Sequence, residues 1–176
     1  MVNVKILGVC CAARHANNEV ALKWALESAA ELPGVKTEFI SLAGKTMAAC
    51  NNCYRCVGAP KDDPCPGIQD DFKEICLKML EPDVDGYIMS ALTDFQQASA
   101  HWHVLKSRLV CLEFNQLGPE ALRSKAFGAI SVGAATYGGQ STALQQMLMW
   151  AHQSDMYPVA CGPEVGRVVG GYIGAS

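Results

Sequence analysis

Along nearly the whole chain, segments with strand character alternate with segments of helical period, and the joins between them are short. No other feature constrains the fold as strongly. Val2 to Val9 is an apolar strand, with Val4, Ile6 and Leu7 bounded by Gly8. After Asn18 the period changes, and Leu22, Ala25, Leu26, Ala29 and Ala30 recur at helical spacing. Lys36 to Leu42 alternates as a second strand. Ile68 to Leu80 reads as a second helix with Phe72, Ile75, Cys76 and Met79 on one face. Gly86 to Leu92 is a third strand and Ala98 to Phe114 a third helix. Ala126 to Ala134 is a fourth strand, and Gly139 to Gln153 a helix that turns Leu144, Met147, Leu148 and Ala151 inward. Tyr157 to Cys161 completes the series as a fifth strand. Such alternation predicts an α/β sandwich of three layers, with a parallel sheet covered on both faces.

Five strands suit the flavodoxin-like order 2-1-3-4-5 better than a six-stranded dinucleotide fold. With 176 residues and no repeat or linker, the chain reads as a single domain over 1–176. A Cys-rich loop at 45–67 and a Gly-rich tail at 162–176 stand apart from the alternation, and the tail lacks the period of a closing helix. Ligands of open parallel sheets bind outside the carboxyl ends of the strands. The expected site is therefore built from residues 9–18, 91–98 and 133–140.

Composition removes several classes of function. Half of the residues are hydrophobic and 18% are charged, which excludes intrinsic disorder. Net charge is −3 and the basic residues are scattered, so nucleic acid is not an expected partner. The longest N-terminal apolar stretch, Ile6 to Ala13, is too short to span a bilayer and lacks a basic lead-in and cleavage pattern. No membrane association is expected, and the expected compartment is the cytoplasm. There is no Ser-His-Asp order and no Gly-x-Ser-x-Gly elbow to support a hydrolase.

Nine cysteines among 176 residues are unusual, and four of them fall between positions 50 and 65. In a reducing compartment clustered cysteines bind metal or do redox work rather than form a disulfide scaffold. Cys50, Cys53, Cys56 and Cys65 have the spacing C-x2-C-x2-C-x8-C. A C-x2-C-x2-C run suits three corners of a [4Fe–4S] cluster, and a proline after the fourth cysteine, here Pro66, is usual in bacterial ferredoxin segments. A four-cysteine zinc loop is the competing metal reading, although it prefers two separated C-x2-C pairs; free thiols are the third. The long gap leaves Cys65 the loosest member of the set. Cys76, Cys111 and Cys161 read as core residues, and Cys10 and Cys11 fall in the expected ligand loop.

These residues together resemble a known family. Ile6-Leu-Gly-Val-Cys-Cys-Ala-Ala-Arg14-His-Ala-Asn-Asn18 is similar to the opening of the NADPH-dependent FMN reductases, where a Ser-rich turn cradles the FMN phosphate. The cysteine loop followed by Gln69-Asp70-Asp71-Phe72 resembles the iron–sulfur flavoprotein branch, whose compact cysteine motif carries a [4Fe–4S] cluster. Ser90-Ala-Leu-Thr93, the stretch from Ser99-Ala100 to Arg108, and Tyr137-Gly138-Gly139-Gln140 resemble further stretches of that branch. The resemblance runs from residue 2 to about residue 160. It implies phosphate contacts at Cys10, Ala12, Arg14 and Asn18, and ring contacts at Leu92, Thr93, Asp94 and Phe95. Further ring contacts are implied at Gly133, Ala134, Thr136, Tyr137, Gly138, Gly139 and Gln140. It also implies a homodimer or homotetramer in which the cluster loop of one subunit lies near the flavin of another, an anaerobic setting, ferredoxin or NAD(P)H as electron donor, and a quinone or small oxidant as acceptor.

The chain departs from the family in its phosphate turn, where hydroxyl residues give way to Cys10 and Ala12 and a threonine to Glu19. A carboxylate there repels a phosphate dianion unless it turns away. Leu92 and Asp94 replace the proline and tyrosine of the third-strand loop. Among the other candidates, His101 and His103 lie two apart on a helix, so one ion cannot take both; one is expected to pack or face solvent, and a contact of the other with the flavin loop is the lesser alternative. Asp70-Asp71 is expected to cap the second helix, and Trp24 and Trp150 to pack. The function that follows is an electron-transfer flavoprotein carrying FMN and one [4Fe–4S] cluster, with no obligatory side-chain acid. An NAD(P)H-dependent flavin or quinone reductase without a cluster, and a metal carrier or maturation protein that has lost flavin, are the alternatives.

Overall fold

A computed structural model describes residues 3–135 and 137–159. Five parallel strands form one sheet: β1 (Val4–Cys11), β2 (Val35–Ser41), β3 (Gly86–Asp94), β5 (Ala126–Val132) and β6 (Tyr157–Pro158). Their order is β2-β1-β3-β5-β6, and a two-residue β4 (Gln97–Ala98) folds back antiparallel on the end of β3. Counting only the parallel strands, this is the flavodoxin-like order 2-1-3-4-5. Register is set at the start of each strand, with Val4 beside Val35, Ile6 beside Gly86 and Gly86 beside Ala126.

The helices are α1 (Asn17–Ala30), α2 (Phe72–Met79), α3 (Ala100–Leu109) and α4 (Gln140–Gln153). Alternate residues of β1 feed two different cores. Leu7, Val9 and Cys11 join the larger one, which packs against α2, α3 and α4. Cys10 and Ala12 join the smaller one with Leu22 and Leu26 of α1. In the larger core Trp102 of α3 meets Trp150 of α4 edge to face, with ring centroids 5.2 Å apart, and Trp150 meets Phe127 of β5 at 5.8 Å. Cys76 and Cys111 are buried in this core, as expected of small apolar residues. Among the described residues no helix is long and apolar enough to cross a membrane.

Several expected boundaries shift for identifiable reasons. The second helix begins at Phe72 rather than Ile68, because Asp70 and Asp71 are held by the preceding loop: Asp71 accepts the Thr46 N–H at 2.6 Å and Asp70 the Ala48 N–H at 2.9 Å. Asp71 stands at the N-cap without a side-chain cap bond, and Asp70 just before it accepts the Phe72 N–H at 3.1 Å. The third helix is shorter than its apolar period suggests. Gln97 and Ala98 are taken into β4, and after Leu109 the chain tightens into a 3₁₀ turn, Val110–Glu113. Trp24 does not pack but is 66% exposed on α1, whereas Trp150 is buried. The first strand runs to Cys11, two residues beyond its expected end. Cys161 and the tail 162–176 lie outside the described residues.

Candidate functional site

The loops that follow β1, β3 and β5 meet at the carboxyl edge of the sheet. In the first, Cys10 is fully buried and Ala12 3% exposed, both packed under α1. Burial pushes the Cys10 thiol up and keeps it neutral. Contacts with an anion at these two positions are therefore left to the main chain. Arg14 is exposed and makes no ion pair among the described residues. No side chain caps α1, so its first turn offers free N–H groups. Asn18, 3% exposed, donates to Ser90 Oγ at 3.1 Å and ties the turn to β3, while its Oδ1 is buried without a partner.

Glu19 is buried and fully engaged. It accepts from Lys23 at 2.6 Å, His15 at 2.5 Å and Ser41 Oγ at 3.4 Å. The Lys23 ammonium and then the His15 ring hold its carboxyl below the ordinary range. Its charge is thus met by Lys23 of α1 and by His15 just before that helix, which removes the main electrostatic objection to an anion at this turn.

The third-strand loop is a hairpin through Phe95 and Gln96, whose φ values are 44° and 64°. Neither residue is a usual turn former, so the hairpin and β4 carried no sequence signal. Leu92, Asp94 and Phe95 are exposed, Phe95 at 95%, while Thr93 Oγ1 bonds Ser131 Oγ at 2.6 Å. Gly139 joins this hairpin to the fifth-strand loop. Its φ is +102°, and a Cβ there would lie 2.2 Å from the Gln96 Cα. Gln140 Nε2 donates to Ala135 O at 2.8 Å across the same turn. Gln96, Gly133, Ala134, Tyr137, Gly139 and Gln140 line a cavity of about 810 Å³, within the size range of small-molecule and cofactor sites. Gly138 sits behind it, its N–H donating to Ala135 O at 3.0 Å. Thr136 lies outside the described residues.

The cysteine loop runs from β2 to α2 and is moored on α3. Ser107 Oγ accepts the Cys50 N–H at 3.2 Å, and Cys50 Sγ accepts the Asn52 N–H at 3.4 Å. Cys53 is exposed, with its sulfur over Gly67, where a Cβ would come within 2.4 Å of Sγ. Cys56 and Cys65 are half-buried against the larger core. Burial pushes both thiols up, and at Cys65 the Arg108 guanidinium opposes the effect. Among the described residues no three His, Cys, Asp or Glu side chains are placed as ligands of one ion. A cubane asks something different, one thiolate at each of four irons; Cys50, Cys53, Cys56 and Cys65 are four soft donors on one loop, and the bare backbone of Gly67 leaves room for the Cys53 sulfur.

Arg108 closes one of the stretches that resemble the family, but its sequence position was not read as part of the site. Trp102, Leu105 and Arg108 follow one another at threes on the buried face of α3, so a charge falls on an apolar stripe. That position was the available signal. Arg108 is 1% exposed and reaches Asp70 at 2.7 Å, the Ala48 carbonyl at 3.1 Å and Cys65 Sγ at 3.3 Å. Burial disfavours the Asp70 carboxylate, but the Ala48 N–H, Arg108 and the Phe72 N–H outweigh it and hold its pKa down.

A cavity of about 500 Å³ lies between the third-strand hairpin and the cysteine loop, lined by Asp94, Phe95, His103 and Ser107 with Ala49. His103 also lines a neighbouring cavity of about 470 Å³ that reaches Cys50. Burial lowers the His103 pKa, and its Nε2 is buried without a partner. This is the histidine that reaches the hairpin; His101 lines a separate hollow beside Met47.

Comparison with known proteins shows the family of the chain. The family described as NADPH-dependent FMN reductase matches residues 4–163. An iron–sulfur flavoprotein of Methanocaldococcus jannaschii is 37% identical over 147 residues, covering 82% of this chain and 69% of that protein. An iron–sulfur flavoprotein of Methanosarcina thermophila is 31% identical over 166 residues, covering 94% of this chain and 82% of that one. Among solved structures, a flavone reductase superposes with a TM-score of 0.64 at 21% identity, over 89% of this chain and 52% of that chain. This chain thus spans about half of that protein, and the likeness is one of fold.

Proposed function

The chain belongs to the NADPH-dependent FMN reductase family and is a flavin-dependent oxidoreductase; from that premise we propose that it carries FMN together with one [4Fe–4S] cluster. The observation that carries this reading is the shared cavity in which Asp94 and Phe95 of the hairpin face Ala49 and Ser107, beside Cys50. It sets the cysteine loop next to the loops that would hold a flavin in the same chain. The two relatives, both called iron–sulfur flavoproteins, support it. When bound, the flavin exchanges electrons in pairs and the cluster one at a time, so together they couple two-electron and one-electron partners.

The side chains bind and orient. Free N–H groups at the start of α1, main-chain groups at Cys10 and Ala12, and Arg14 hold the phosphate. Asn18 braces that turn from behind. Leu92, Thr93, Asp94 and Phe95 form one wall for the ring. Gly133, Ala134, Tyr137, Gly138, Gly139 and Gln140 form the other, with Gly139 letting the two loops touch, and the family resemblance adds Thr136 to this set. Cys50, Cys53, Cys56 and Cys65 ligate the cluster. No side-chain acid is required, and His103, kept neutral by burial, shapes the space between the loops. Ferredoxin or NAD(P)H serves as donor and a quinone or small oxidant as acceptor. The chain works as a homodimer or homotetramer of single domains, in the cytoplasm of an anaerobe.

Cys56→Ser tests the assignment. In anaerobically purified protein the variant keeps its FMN and loses its iron and the visible charge-transfer absorption. Equal iron in variant and parent would refute the ligand set, and no iron in the parent would leave a flavin reductase without a cluster.

A further inference from the structure

Ser107 and Arg108 are consecutive on the last turn of α3, and between them they hold both limbs of the cysteine loop. Ser107 takes the Cys50 N–H. Arg108 directs Nε to Cys65 Sγ at 3.3 Å, one terminal nitrogen to Asp70 at 2.7 Å and Ala48 O at 3.1 Å, and the other to Ile68 O at 3.4 Å. Its guanidinium carbon lies 4.4 Å from the centre of the Phe72 ring.

A buried guanidinium is costly unless its donors are used. The ion pair with Asp70 engages only one of its nitrogens, so it does not explain why the fork is turned to aim Nε at sulfur. A neutral thiol is a weak acceptor, whereas a sulfur bearing the charge of a ligated cluster is a strong one.

We propose that Arg108 is the positioning residue for Cys65 and raises the reduction potential of the cluster that Cys65 ligates. The inference rests on the cluster reading above. An electron added to the cluster increases its negative charge, and an N–H···S bond from a buried cation favours that state. Asp70 works the other way: its carboxylate cancels part of the guanidinium's charge at the same point. The two residues therefore move the potential in opposite directions. Loosening of the loop would move it in one direction for both.

The test is an anaerobic redox titration that follows the reduced cluster by electron paramagnetic resonance. It compares the parent protein, Asp70→Asn, the double variant Arg108→Gln with Asp70→Asn, and Ser107→Ala. The double variant leaves no unpaired buried charge and so guards the fold, which circular dichroism checks. Asp70→Asn is expected to shift the midpoint positive, the double variant to shift it negative of Asp70→Asn, and Ser107→Ala to leave it in place. Coincident midpoints, or a negative shift in Asp70→Asn, would overturn the role of Arg108 while leaving the cluster intact. If the double variant folds without iron, Arg108→Lys decides in its place: it keeps the cation but loses the Nε–H that meets Cys65 Sγ, so a midpoint negative of the parent supports the role and an unchanged midpoint overturns it. Absence of iron from the parent would instead sink the cluster reading on which the inference stands.

Discussion

Gly139 and Glu19 illustrate how much of this site depends on single positions. Alanine at 139 would have to hold φ at +102° and place its Cβ 2.2 Å from the Gln96 Cα, so the hairpin must move. Such strain costs about 1–3 kcal/mol, and Gly139→Ala is predicted to unfold at lower urea and to lose FMN on dilution. Unchanged flavin retention would show that the two loops need not touch. Glu19 gives a prediction in pH. Its folded pKa is depressed by Lys23 and His15, so the stability it contributes is present above the unfolded value of about 4.3. That contribution is lost as pH falls through the lower folded value. Glu19→Gln is therefore less stable than the parent near neutrality, and the gap in urea midpoint closes in acid. A gap that persists or widens in acid would show that the ion pairs do not hold Glu19. The identity of Glu19 was legible in the sequence as a departure. Its charge partners were legible too, since His15 and Lys23 stand four residues to either side of it, whereas the contact with Ser41 of β2 was not.

At the scale of elements, helical and strand periods located the five parallel strands and the four α-helices of the described residues, since burial on one or two faces imposes those periods. The errors fall where local chain is drawn away by a distant partner. Asp70 and Asp71 delay α2 because they serve the cysteine loop, and Ala98 leaves α3 because its N–H is taken by Gln146 Oε1 at 3.0 Å. The two tryptophans assigned to helical packing separate cleanly by environment. Trp150 is buried against the fully buried Trp102 and joins α4 to α3, whereas Trp24 lies on open surface. Trp102→Ala is predicted to cost about 3–5 kcal/mol, and Trp24→Ala less than about 0.5 kcal/mol. Urea unfolding of the two variants checks this, and comparable losses would contradict the packing described here.

For the whole molecule, the order of the sheet decides which loops can cooperate. Strands β1, β3 and β5 are neighbours, so the loops after them converge at one edge whatever their individual motifs. That convergence was readable from strand order alone. The adjacency of the cysteine loop to the hairpin was not, because it is set by α3, through Ser107 and Arg108, rather than by any spacing within the loop. The central claim is that one chain brings a flavin and a four-iron cluster together. Iron, acid-labile sulfide and FMN measured on a single anaerobically purified sample test it most directly. The account predicts about four irons, four sulfides and one FMN per chain; FMN without iron, or iron without FMN, would contradict it.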